Sequence, residues 1–201
     1  MRAKDMFLKN EKYLFNLLVV IFYLFAFKAY SASEDKTEAL NYLSSLSNFS
    51  ASFLQSDGEN LSEGKVYIGK KRVRAEYYLP TKILIILGEE KAMYYDYELE
   101  EDEFFNPKNT NAWFFYDIFR NPLFFEDGKV EVKNNELLLE KKGTDNEEKK
   151  FVIRVLFEKS PLVLRGIEVE INGDVLKLSI YNHSYNEVFD RNFFKLINPK
   201  F

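Results

Sequence analysis

The chain has no cysteine. It can form no disulfide in an oxidising compartment, and no leader cysteine is available for lipid attachment. It has one histidine, His183, with no carboxylate beside it at ligand spacing. That histidine reads as a strand or turn residue. Gly-x-Ser-x-Gly, His-Glu-x-x-His, Gly-x-Gly-x-x-Gly and phosphate-loop patterns are all missing. The sequence therefore assigns no catalytic residue, no metal-ligand set and no cofactor. Glu98, Glu100, Glu101, Asp102 and Glu103 crowd five carboxylates together, a pattern that reads as a solvated strand end. Internal repeats and low-complexity linkers are also absent.

No apolar run reaches the roughly 20 residues a membrane-spanning helix needs. The longest, Tyr13–Phe27, has 15 residues, follows Lys4, Lys9 and Lys12, and is closed by Lys28. Small residues at Ala29-Tyr-Ser31 and Ser31-Ala-Ser33 offer cleavage sites. Residues 1–33 thus have the layout of a secretory signal peptide, which places residues 34–201 outside the cytoplasm. Removing 1–33 takes away five basic and two acidic residues, leaving 23 basic against 30 acidic, a formal net charge of −7. Such an acidic domain suits neither nucleic acid nor an anionic membrane surface. Its 168 residues suffice for one domain with a real core.

Alternation with a period of two dominates that domain. Phe49–Gln55, Ser62–Gly69, Arg72–Leu79, Lys82–Leu87, Ala92–Tyr97 and Asp102–Phe105 read as consecutive strands. Lys129–Lys133, Glu136–Lys142, Phe151–Phe157, Val163–Ile171 and Val175–Asn182 form a second series, with Gly143–Lys150 as a charged loop. Phe193–Ile197 is expected to close the sheet. Asn134-Asn135 and Asn172-Gly173 are hairpin turns, because both pairs tolerate positive φ. Two helices interrupt the series. Glu34–Leu46 repeats leucine at 40, 43 and 46, with Ser33 as cap. Asn111–Phe119 is apolar almost all round. A surface helix should show one apolar stripe, so this one has something to touch on more than one side. The expected fold is mainly β: one strongly curved antiparallel sheet of about eleven strands, a half-open barrel, with short α-helices as a lid.

The ordered series over 49–96 carries a resemblance. A Phe53-Leu-Gln55 strand, the Gly64-led strand, Arg72-Val-Arg-Ala-Glu-Tyr77 and Met93-Tyr-Tyr-Asp96 together resemble the periplasmic outer-membrane lipoprotein carriers of the LolA type, and the likeness continues more weakly to about 198. The resemblance implies a hydrophobic container that takes up lipoprotein acyl chains and catalyses nothing. It implies loading at an inner-membrane ABC transporter of the LolCDE type and unloading to an outer-membrane receptor of the LolB type or a substitute. A monomer is expected. The physical need is plain: three acyl chains with on the order of 40 methylenes would cost about 30 kcal/mol in water.

Within that reading the cavity wall is assigned to Val66, Ile68, Val73, Ala75, Tyr77, Ile83, Ile85, Leu87, Met93 and Tyr95. The lid is assigned to Leu40, Leu43, Trp113, Phe114, Ile118 and Phe119. The family tethers its lid through a basic residue beside a proline. Here the text is Gly69-Lys70-Lys71-Arg72, without the proline, so Lys70 is the first candidate for the latch and Arg72 the second. Similar half-barrels also serve as lipid- or partner-binding sensor or adaptor domains in the envelope, which is the alternative reading.

Overall fold

The alternating runs pair in the order in which they occur along the chain. The computed structural model describes residues 33–121, 123–145 and 148–200. The expected leader therefore lies outside the described residues, apart from Ser33. Six strands follow the first helix, α1 (residues 33–45). They are β1 (Phe49–Ser56), β2 (Leu61–Ile68), β3 (Val73–Leu79), β4 (Ile83–Leu87), β5 (Ala92–Asp96) and β6 (Glu101–Phe105). A 3-10 turn at Pro107–Asn109 and α2 (Trp113–Arg120) come next. The second series is β7 (Lys129–Lys133), β8 (Glu136–Thr144), β9 (Lys150–Lys159), β10 (Leu162–Ile171) and β11 (Asp174–Ser184).

All eleven strands form one open antiparallel sheet, in the order β6-β5-β4-β3-β2-β1-β11-β10-β9-β8-β7. The first meander runs outward from β1 to the edge at β6. The second starts at the opposite edge, β7, and returns inward until β11 pairs with β1. The connection between β6 and β7 must therefore travel from one free edge to the other. It does so across the concave face, and α2 is the part of that crossing which is buried there. Topology, as much as composition, makes α2 a lid.

Local chemistry supports the register. The β7–β8 turn places Asn134 at φ 56°, and the β10–β11 turn has Asn172 at 52° and Gly173 at 99°. These are the left-handed conformations that tight hairpins require. Phe151, Ile153, Val155 and Phe157 of β9 are all buried on the concave side, as their alternation predicts. On β10, Leu164 and Ile167 are both buried although they stand three apart; a bulge at Arg165 returns Ile167 to the inner face.

The main core gathers apolar residues of the concave face, α1, α2 and the Phe124–Phe125 turn. A smaller one lies on the convex face, where Leu84, Ile86, Met93 and Tyr95 pack with Tyr97 and Leu196. Also on the convex side, a charge ladder crosses four strands. Arg154 stands opposite Glu140 and Glu168, and Lys177 opposite Glu168, with each opposed pair in ionic contact. Opposite charges in register favour this pairing over slipped ones.

Two expectations need correction. Residues 193–197 form no strand. Their backbone turns on itself, with Phe193 N donating to Asp190 O at 3.0 Å and Lys195 N to Asn192 O at 2.9 Å. The segment after β11 lies over the convex face as a strap: Phe193 meets Tyr67 edge-on at 4.9 Å, and Leu196 joins the convex core. The charged loop after β8 also starts later than expected. Gly143 and Thr144 stay in the sheet opposite Phe151 and Lys150. The Phe151 ring takes the space a side chain at 143 would fill, 2.5 Å from where its Cβ would stand.

Candidate functional site

Under α2 lies an apolar cavity of about 240 Å3. Its sheet wall comes from the inward alternates of six strands. Val66, Val73, Ala75, Tyr77, Ile85 and Leu87, all assigned from the sequence, line it. Cross-strand register explains why they meet: Val66 stands opposite Ala75, Ala75 opposite Ile85, and Val73 opposite Leu87. Ile68 shares this face but is sealed in the core, and Ile83 is half-buried outside the lining.

Met93 and Tyr95 are a correction. They pair with Ile86 and Leu84 and point into the convex core, away from the cavity. Strand β4 is apolar on both faces, so its sequence does not say which set of β5 residues points inward. The register shows that the inward set is Ala92 and Tyr94.

The sequence reading also missed half of the wall. Phe53 of β1, Ile167 of β10 and Leu176, Leu178 and Ile180 of β11 complete it. Their alternation is visible in the sequence, but the resemblance is strongest over 49–96 and points there. Phe53 reaches the cavity because Gly64 leaves room; a Cβ at 64 would stand 2.6 Å from its Cζ. The polar groups in the lining are few. Tyr77 Oη donates to Gln55 Oε1 at 2.9 Å, and burial pushes the Tyr77 hydroxyl up to about 12, so it is neutral at physiological pH. Asn111 lies on the lid side.

The lid residues divide between two tasks. Phe114 and Ile118 are buried in the core, and Phe114 packs on Phe151 with centroids 4.9 Å apart. Ala112, Phe115 and Phe119 cover the cavity. This explains why α2 is apolar almost all round: it faces packed protein on one side and a hollow on another. Trp113 is half-buried beside Phe114, Phe124 and Phe151. Leu43 of α1 is buried, and Leu40 packs beside it. Three polar contacts fix α1 in place. Lys159 Nζ donates to Asp35 Oδ1 at 2.6 Å, Lys36 Nζ to Glu126 O at 2.6 Å, and Leu164 N to Tyr42 Oη at 3.3 Å.

The latch is arranged differently from the expectation. Lys70 is exposed in the β2–β3 turn, beside a separate hollow between α1 and α2. Arg72 donates to Phe194 O at 2.5 Å and Arg74 to Phe193 O at 2.7 Å, so both hold the convex strap and not the lid. The Arg74 guanidinium also lies 4.3 Å over the Phe193 ring. The basic residue that ties lid to sheet is Arg120, in the last turn of α2. Its Nη1 donates to Gly69 O at 3.0 Å and its Nη2 to Leu46 O at 2.5 Å. The direction is reversed: the lid carries the donor, while the β2–β3 turn and the end of α1 offer carbonyls. The sequence signal is a single basic residue closing a helix in which Asp117 is the only other charge.

An open antiparallel half-barrel, an apolar hollow on its concave face and a helix latched above it define a container class of protein. Residues 44–197 match the family model of the outer membrane lipoprotein carrier protein LolA, and the chain belongs to that family. Comparison with curated proteins gives no match. Among solved structures, an uncharacterized conserved protein from Thermus thermophilus is similar with a TM-score of 0.51 and 12% identity, covering 82% of this chain and 93% of that one. MucB, solved in complex with MucA(peri), gives a TM-score of 0.45 at 8% identity, over 82% of this chain and 59% of MucB. The MucA/MucB complex of Pseudomonas aeruginosa gives 0.46 at 6%, over 82% and 60%.

Proposed function

We propose that this protein is a periplasmic carrier that takes lipoprotein acyl chains into the cavity beneath α2 and moves them from the inner to the outer membrane. The observation that carries this reading is the cavity itself, which is lined by apolar side chains from both meanders and covered by a helix held through two hydrogen bonds. Family membership supports it. Residues 1–33 would direct export and be removed. An inner-membrane ABC transporter of the LolCDE type would load the carrier, and a LolB-type receptor or its substitute would unload it.

The cavity volume bears on mechanism. At about 240 Å3 it falls below the roughly 300–1,000 Å3 usual for small-molecule sites. At roughly 30 Å3 per water-sized group it has room for about eight such groups, a fraction of one acyl chain. A full load therefore requires α2 to move, and Arg120 together with the buried Phe114 and Ile118 sets the cost of moving it. The work of extracting a lipoprotein from a membrane comes from the transporter, since the carrier's sequence has no nucleotide-binding motif.

Mass spectrometry of lipid copurifying with the exported protein tests the reading. Acylated peptide bound in near-stoichiometric amount is expected. A protein that emerges free of lipid and fails to take up a fluorescent fatty acid would overturn it.

A further inference from the structure

A larger hollow, of about 790 Å3, lies between the start of α2 and strands β8 and β9. Trp113 and Phe151 contribute aromatic surface to it, their rings edge-on at 5.9 Å. Its walls carry both signs of charge. Four lysines, Lys108 and Lys141 among them, supply the positive groups, and three aspartates, Asp117 and Asp127 among them, the negative ones. Lys141 is ion-paired with Asp127. Asp117 makes no ion pair among the described residues, and burial pushes its carboxyl above the usual carboxylate range.

This groove and the acyl cavity share one lining residue, Asn111. Thr110 lines the groove, Ala112 lines the cavity, and Asn111 between them lines both. Three consecutive residues thus carry the surface from a polar, charged trough into an apolar hollow. A ligand that spans the junction must be apolar at one end and polar at the other.

We propose that the groove binds the peptide segment next to the acyl group of an acylated peptide whose chain lies in the cavity. The proposal rests on the carrier reading and adds a second subsite to it. Size favours peptide over a lipid headgroup: at roughly 30 Å3 per water-sized group the groove has room for about 26. Charge favours it too. A dedicated anion site would hold cations nearly alone, whereas walls with four lysines against three aspartates, over an aromatic floor, suit a backbone that offers both donors and acceptors. Loading would then be read at two points, the chain by burial and the peptide by polar contacts. A free fatty acid would occupy only one of them.

The quenching of Trp113 fluorescence can follow three ligands: palmitic acid, an N-palmitoyl hexapeptide of serine and lysine, and 1-palmitoyl lysophosphatidylethanolamine. The acylated peptide is expected to bind at least about tenfold more tightly than palmitic acid, and the lysolipid no more tightly. The double variant Lys108→Glu, Asp117→Lys should remove that advantage and leave palmitic acid binding unchanged. Equal binding of acylated peptide and palmitic acid to the wild-type protein overturns the groove proposal, whether or not the variant folds. So does an equal advantage for the lysolipid, or an advantage that survives in a folded variant. Failure of all three ligands to bind would overturn the carrier reading itself.

Discussion

Arg120 at the end of α2 donates to the carbonyl of Gly69, across a gap that the chain takes 51 residues to bridge. A second bond from the same guanidinium reaches Leu46 O, so one side chain joins the lid helix, the β2–β3 turn and the end of α1. Hydrogen bonds to charged groups contribute about 1.5–3 kcal/mol each when removal leaves a partner unsatisfied.

Arg120→Leu removes both bonds and should therefore shift α2 toward an open position by at least on the order of a hundredfold and leave the sheet folded. Trp113, on the same helix, is the only tryptophan in the chain and reports the change directly. A red-shifted emission and easier acrylamide quenching are expected, with far-UV circular dichroism unchanged. Wild-type emission in the variant would show that packing alone holds the lid.

Ala75 sits in the middle of the cavity wall, between Val66 and Ile85 on its two neighbours. Ala75→Phe fills the space an acyl chain would use, and overpacking costs about 1–3 kcal/mol at most sites. Affinity for a fluorescent fatty acid should fall at least about tenfold with modest loss of stability. Met93→Ala is the converse, because Met93 is fully buried on the other face. It should lower unfolding stability by about 2–5 kcal/mol and leave fatty-acid affinity intact. If Met93→Ala impaired binding as strongly as Ala75→Phe, the assignment of the two faces would be wrong.

His183 gives the protein a pH dependence near neutrality. Its Nε2 donates to Leu164 O at 2.6 Å. Burial holds its pKa below the ordinary 6.5, reinforced by the charge of Arg165 and partly offset by the Leu164 carbonyl. Tyr185 stacks on the ring at 6.4 Å. Below pH 6.5 the unfolded chain binds the proton more readily than the folded one, so stability is retained above that pH and declines as pH falls below it. Urea midpoints at pH 7.5 and 5.5 should differ more for the wild type than for His183→Gln. Identical pH profiles for the two proteins would show that this histidine is not the cause.

Phe193→Ala should loosen the convex strap. The ring contacts Tyr67, Phe189, Phe194 and the Arg74 guanidinium, and its half-burial sets the expected loss at about 1–3 kcal/mol, below that of a core phenylalanine. Hydrogen exchange should quicken in β2 and β3 while α2 keeps its protection. Faster exchange in α2 as well would mean that strap and lid are coupled through the sheet.

Much of the fold was legible because its strands alternate cleanly. Phe151 to Phe157 and the Asn172-Gly173 turn leave little freedom, and β7 to β11 followed with small changes at their ends. What was not legible lay where local pattern is silent. Strand β4 reads Ile83-Leu-Ile-Ile-Leu87, apolar at every position, so only its pairing with β5 could show that Met93 and Tyr95 point outward. Phe193 to Ile197 is apolar enough for a strand, yet nothing local says that it turns on itself over the convex face. The latch was expected on the β2–β3 turn, where basic residues cluster, while the contact that forms depends on where α2 crosses the sheet. Arg120 and Gly69 become neighbours only through that long connection.

Under the proposed function, the strap has a consequence for how such a vessel ages through many rounds of use. Arg72 and Arg74 grip it from the back of β3, while the door is pinned at the front by Arg120. Wall and door thus have separate fastenings on opposite faces. Swinging the helix aside would uncover Phe114 and Ile118 of the main core but break none of the bonds that brace the sheet from behind. On the proposed function, wear, in the sense of molecules lost to unfolding during exchange, would fall on α2 and its core contacts and spare the strap.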